Sequence, residues 1–107
     1  MNSTRTQTQN SPKSDLAPLW NVVLHDDDDH TYEYVIRMMQ DVFGRSESEG
    51  FAIARRVDLD GRAVCLTTHL ELAELKRDQA LACGKDGAVA RCRGPMTVTL
   101  EPCEPDA

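Results

Sequence analysis

Polar residues fill the first fifteen positions almost without interruption, with Thr, Ser, Gln and Asn predominating. Such a stretch buries too little apolar surface to offset the entropy of ordering it, so residues 1–19 are expected to form a disordered tail. Pro18 closes that tail. Trp20, Val22, Val23 and Leu24 then make a short run with β-branched content, which predicts a first strand and the start of the folded domain.

Beyond a run of acids, Val35, Met38, Met39, Val42 and Phe43 recur at spacings of three and four, lining one face of a helix that Gly44 ends. Asp28, Asp29 and Thr31 are its candidate caps. Ser46 and Glu49 fit a capping box that opens a second helix, whose apolar stripe is Gly50, Ile53, Ala54 and Val57 and whose stop is Asp60-Gly61. Arg62 to Thr67 reads as a second strand, and Thr68 with Glu71 as another capping box. The helix it heads runs through Leu72, Leu75, Ala80 and Leu81 to about Gly84, with Glu74, Lys76, Arg77 and Asp78 on its wet side. Lys85 to Gly94 reads as a loop. Met96 to Leu100 alternates as a third strand, with Pro102 and Pro105 ending its pairing. The order β-α-α-β-α-β suggests an α+β sandwich with the sheet on one side, a domain over 20–102 and a short extension over 103–107.

A chain of 107 residues holds one small core. A formal net charge of -6 argues against nucleic acid, whose binding rests on Lys and Arg neutralising phosphates, and points to a cationic or apolar ligand. No stretch is long enough to span a bilayer, and the opening residues lack the apolar segment of a secretory leader, so a cytoplasmic protein is expected. Cys65, Cys83, Cys92 and Cys103 have no two-residue gap between any pair and read as reduced thiols. Cys65, on an apolar strand, is expected to be a buried inert thiol. A hydrolase built on it would need activation by His69 or His25, which the sequence does not suggest, so no catalytic residue is assigned and no enzyme is expected.

Asp26 to Asp29 form the chemically sharpest feature, four acids between an apolar strand and a helix, flanked by His25 and His30. Two readings stand side by side. In one, the acids are a solvated turn favouring the positive end of the following helix, worth ~0.3 to 1 kcal/mol each. In the other, they form an acceptor-rich ledge for a cation with an apolar side chain. The spacing lacks the order of a calcium-binding loop or a zinc motif, so neither metal nor cofactor is assigned.

From Trp20 to Pro102 the chain resembles the ClpS family, adaptors that hand N-end-rule substrates to the Clp ATP-dependent protease. The resemblance rests on Trp20-Asn-Val-Val-Leu-His-Asp-Asp-Asp, Glu33-Tyr-Val-Ile, Gly61-Arg-Ala-Val-Cys65, Glu71-Leu-Ala-Glu-Leu-Lys76 and Pro95-Met-Thr-Val-Thr-Leu-Glu101, in the family's order and spacing. It implies three antiparallel strands against three helices, gripping the first residue of a substrate.

By position, the α-amino group would meet Asp26, Asp27 and Asp58, where Asp26 replaces the family's Asn and Asp58 its His. The side-chain pocket would comprise His30, Tyr32, Val35, Ala54, Val57 and Met96. Tyr32 and Ala54 each stand where the family has Met, so one wall grows as the opposite one shrinks. Docking to the N-terminal domain of a Clp AAA+ ATPase would use Glu71 and Lys76, with the intervening family Thr replaced by Leu75. A monomer is expected, with substrate N-terminal peptides and the ATPase as partners and neither nucleic acid nor membrane among them. The alternative is a diverged domain whose acidic pocket takes a cation or another protein.

Overall fold

The computed structural model describes residues 17–104. The first sixteen residues of the expected tail and the last three of the expected extension lie outside the described residues. Three strands, β1 (Trp20–His25), β2 (Arg62–Thr68) and β3 (Val98–Pro102), form one sheet in the order β2-β1-β3, with both pairs antiparallel. β1 takes the central place because Val22, Val23 and Leu24 are all buried, whereas β2 alternates exposed and buried positions. Val22 faces Leu66 and Val23 faces Val64, which leaves Cys65 as the extra residue of a bulge pointing into the core.

At its exit β1 is fastened on both sides. The His25 amide donates to the Thr97 carbonyl at 3.0 Å, and the Asp26 amide to that of Gly61 at 2.9 Å. The acid run therefore leaves the sheet from a fixed point.

Helix α1 (Tyr32–Phe43) begins at Thr31, whose hydroxyl accepts the Tyr34 amide, and ends at Gly44 in the left-handed region with φ 66. Helix α2 (Glu47–Asp60) carries the reciprocal Ser46 and Glu49 capping box and stops at Gly61 with φ 84. The two helices cross closely at Gly50, where a Cβ would sit 3.3 Å from the backbone of Ile36. Helix α3 (Leu70–Leu81) packs on β1 and β3. One core unites the layers, with Val22 and Leu24 from the sheet, Met38 and Met39 from α1, Val57 from α2 and Ala73 and Ala80 from α3.

Four local expectations are corrected. Asp28 and Asp29 do not cap α1. Thr31 does, while the Asp29 carboxylate takes an Arg91 hydrogen bond instead. Thr68 opens no capping box, because α3 starts after His69, which makes no side-chain cap bond. Leu72 and Leu75 are 41% and 50% exposed, and α3 buries Ala73 and Ala80, seven residues and two turns apart. Small side chains let α3 lie close to the sheet, which turns its leucines outward. β3 begins at Val98, since Met96 turns into the core ahead of the ladder, and it includes Pro102 opposite Trp20 at the end of an edge strand.

Candidate functional site

The cavity of interest lies where β1 empties between the start of α1 and the end of α2. It measures about 210 Å³, and all nine residues expected at the amino-group and side-chain positions line it: Asp26, Asp27, Asp58, His30, Tyr32, Val35, Ala54, Val57 and Met96. Asp28 and Thr31 line it too, and sequence reasoning did not place them there. A larger depression of about 420 Å³ runs along Ile53, Arg56, Asp60 and Arg62. It shares no residue with the acidic rim, and no convergent chemistry marks it.

The apolar side of the cavity is a continuation of the core. Val35, one helical turn past the Thr31 cap, and Ala54 and Val57, on the inner stripe of α2, are buried, as is Met96 from the segment before β3. Tyr32 stands at the edge, its ring tilted against that of Phe51 with centroids 5.6 Å apart. Its hydroxyl donates to Asp58 at 2.9 Å, tying α1 to the last turn of α2 across the mouth.

The polar side divides the acids into distinct roles. Asp27 folds back on its own loop: one oxygen accepts the Asp29 amide at 2.9 Å, an Asx turn, and the carboxylate accepts His30 Nδ1 at 2.8 and 3.0 Å. His30 Nε2 lies 3.0 Å from the Gly94 carbonyl, and the ring packs against Tyr34 with centroids 4.6 Å apart. Arg91 clamps the outer edge, donating to the Asp29 carboxylate at 2.5 Å and to the Asp28 carbonyl at 2.7 Å.

Among the described residues no ion pair reaches Asp26, Asp28 or Asp58. The partial burial of Asp26, followed by the charges of Asp28, Asp58 and Asp27, raises its carboxyl above the usual range. The carboxylates thus converge closely enough to feel one another, and the rim is an acceptor-rich, negatively charged opening onto an apolar hollow. An ammonium, with three donors and no acceptor, is the complementary group. Among the described residues no three His, Cys, Asp or Glu side chains are arranged to hold a metal ion.

The loop between α3 and β3 builds the back of the site, and the sequence reading gave it no role. Asp86 anchors it: one carboxylate oxygen accepts the Thr31 amide and hydroxyl, each at 2.8 Å, and the other accepts the Ala88 amide at 2.9 Å. Burial pushes the Asp86 carboxyl up, but those donors outweigh it and hold it below its ordinary range. The Asp86-Gly87 pair was the available signal, a turn dipeptide with a side chain suited to capturing backbone amides.

Cys65 is buried in the core, and that burial pushes its thiol up to about 12. On α3, Glu71 is exposed, and Lys76 donates to the Val42 carbonyl at 2.8 Å, so it closes the C-terminal end of α1.

A family model for the ATP-dependent Clp protease adaptor protein ClpS matches residues 15–92. The chain belongs to the ClpS family. It is similar to the ClpS adapter of Nautilia profundicola, 32% identical over 99 residues that cover 92% of this chain and 96% of that protein. The ClpS adapter of Desulforapulum autotrophicum is 33% identical over 72 residues, 67% of this chain and 69% of the relative. Among solved structures, Agrobacterium tumefaciens ClpS2 bound to L-phenylalaninamide superposes with a TM-score of 0.69 at 29% identity, covering 79% of this chain and 96% of that one. The fold is that of the ClpS family, and the chain is an adaptor of the Clp protease system.

Proposed function

We propose that the cavity grips the first residue of client polypeptides for delivery to the Clp protease. Asp26, Asp27 and Asp58 accept the three hydrogens of the α-ammonium, and Tyr32, Val35, Ala54, Val57, Met96 and the His30 ring enclose the side chain. One observation carries this reading: three carboxylates and an apolar floor share a single cavity of about 210 Å³. The ligand of the related ClpS2, an amino-acid amide with a free amino group and an aromatic side chain, has the chemistry this cavity suits.

The two departures from the family pattern change charge and keep acceptors. Asp26 and Asp58 present oxygens where the family has Asn and His, and a carboxylate accepts at least as many hydrogen bonds as either. Large apolar or aromatic first residues are the expected clients, because burying a Leu or Phe side chain contributes on the order of 1.5 to 3 kcal/mol. The protein acts without catalysis, in the cytoplasm, as a monomer. Docking to the N-terminal domain of the Clp ATPase uses the α3 face, where Glu71 carries the charge and Lys76 braces the helix against α1. The test is fluorescence anisotropy with peptides beginning with Leu, Phe, Tyr or Trp, each free and N-acetylated. Binding that acetylation abolishes supports the proposal. Equal binding of both forms, or none, favours a diverged domain with another ligand.

A further inference from the structure

Asp58 stands where the local electrostatics oppose a carboxylate. It lies in the last turn of α2, where the free carbonyls carry partial negative charge and no basic side chain offsets them. Asp60 adds a second acid to that turn, and the Asp58 charge reaches Asp26 across the mouth strongly enough to help raise the Asp26 carboxyl. Solvent and repulsion both draw the Asp58 side chain outward. Among the described residues it has no ion pair and one hydrogen-bond partner, the Tyr32 hydroxyl, which donates to Oδ2 at 2.9 Å. That donor is itself well held. Tyr32 is the first residue of α1, directly after the Thr31 cap, and Asp86 binds Thr31 through both its amide and its hydroxyl. The Tyr32 ring rests against Phe51, seven residues before Asp58 on α2, so ring and hydroxyl meet the same helix at two points two turns apart.

We propose that Tyr32 is a positioning residue for the amino-group site, its hydroxyl holding the Asp58 carboxylate over the mouth so that the remaining oxygen meets a client's α-ammonium. The bond leaves Asp58 usable. A carboxylate offers about four acceptor sites on two oxygens, and Tyr32 takes one of them on Oδ2. This role is distinct from the wall that the Tyr32 ring gives the side-chain pocket, and it makes the two residues one unit. Both stand where the chain departs from the family pattern, and the structure bonds one departure to the other. The phenol carries the same signature: the Asp58 hydrogen bond, followed by burial and the Asp58 charge, raises its pKa, with Asp26 adding to the rise and Arg55 opposing it.

The effect on peptide binding rests on the proposed function, whereas the hold of Tyr32 on Asp58 does not. The experiment is a double-mutant cycle in the full chain with Tyr32→Phe, which keeps the ring, Asp58→Ala and the pair together. Affinity for a Phe-initiated peptide is measured by NMR titration, and the free proteins give the Asp58 Hα–Hβ couplings and the pH titration of the Tyr32 ring signals. Tyr32→Phe is expected to weaken binding about fivefold and Asp58→Ala about tenfold, with the double variant no weaker than Asp58→Ala alone. The Asp58 couplings change from those of one rotamer to an average in Tyr32→Phe, and the Tyr32 phenol titrates at lower pH in Asp58→Ala. Equal or tighter binding by Tyr32→Phe overturns the proposal. A fivefold loss that persists in the Asp58→Ala background assigns the effect to the ring's packing and overturns it too, as do Asp58 couplings that stay unchanged. If the wild-type protein binds no peptide, the functional reading fails, while the couplings and the phenol titration still decide whether Tyr32 holds Asp58.

Discussion

Replacing Asp26 by Asn removes one charge from the mouth of the cavity and leaves an oxygen in its place. Partial burial and the charges of Asp28, Asp58 and Asp27 raise the Asp26 pKa above its ordinary 3.8. A like-charged pair at ~4 Å in water-like surroundings costs about 1 kcal/mol. Asp26 faces solvent, so the relief from all three neighbours is on the order of 1 to 2 kcal/mol rather than the full sum. That repulsion is present in the free and the bound protein alike, so it acts on stability, whereas affinity loses only the difference between a charge-assisted hydrogen bond to the ligand and a neutral one, about 1 kcal/mol.

Asp26→Asn is therefore expected to bind a Phe-initiated peptide about fivefold more weakly at neutral pH. The pH dependence separates the proteins further. A proton on Asp26 weakens ammonium binding, so wild-type affinity falls as pH drops through the raised pKa, and that limb is absent from the variant. Stability follows the same linkage. The folded state holds the Asp26 proton more tightly than the unfolded chain, so its favourable contribution is complete below pH 3.8 and is lost as pH rises through the folded value. Asp26→Asn therefore has the higher Tm at neutral pH, and the gap closes in acid. Anisotropy across a pH series and thermal unfolding on the same samples supply both readings. Unchanged or tighter binding at neutral pH refutes the reasoning and shows that the ligand does not use the Asp26 charge.

Three further outcomes are expected. Asp86→Asn loses charge-assisted bonds to Thr31 and Ala88 and is destabilised by ~1.5 to 3 kcal/mol in urea unfolding at neutral pH. Because the folded Asp86 pKa is depressed, its contribution is present above the ordinary 3.8 and disappears as pH falls below it, so the variant and wild type converge in strong acid. Ala54→Met fills the cavity from the α2 side, weakening peptides that begin with Trp or Phe at least tenfold without loss of Tm; unchanged Trp binding removes Ala54 from the pocket wall. Glu71→Arg weakens capture by the Clp ATPase N-terminal domain by about 1 kcal/mol in a pull-down titration and leaves peptide affinity unchanged, and a loss of peptide binding contradicts the separation of the two faces.

The helices α1 and α2 were legible because their signals agree. Thr31, Gly44, the Ser46 and Glu49 box and Gly61 mark ends that bracket periodic apolar faces. Helix α3 misled because its buried stripe is Ala73 and Ala80, whose small side chains weigh little in a hydrophobic pattern beside exposed Leu72 and Leu75. The acid run was legible as a place but not as a division of labour. Asp29 is taken up by Arg91, 62 positions away, and that distance leaves no trace in local sequence. Periodicity likewise identifies Val35, Ala54 and Val57 as inward-facing and is silent on whether they meet other atoms or a hollow. The family resemblance supplied that distinction. It gave no account of Asp86 and Gly94, which reach Thr31 and His30 from the loop before β3.

The central claim is that one cavity receives both the charge and the side chain of a client's first residue. NMR titration of isotope-labelled protein with a short Phe-initiated peptide tests it directly. The account predicts that the carboxyl carbons of Asp26, Asp27 and Asp58 and the methyls of Val35, Val57 and Met96 shift together along one saturating isotherm, and that the acetylated peptide moves none of them. Shifts confined to other surfaces, or methyls that move identically with the acetylated peptide, contradict it.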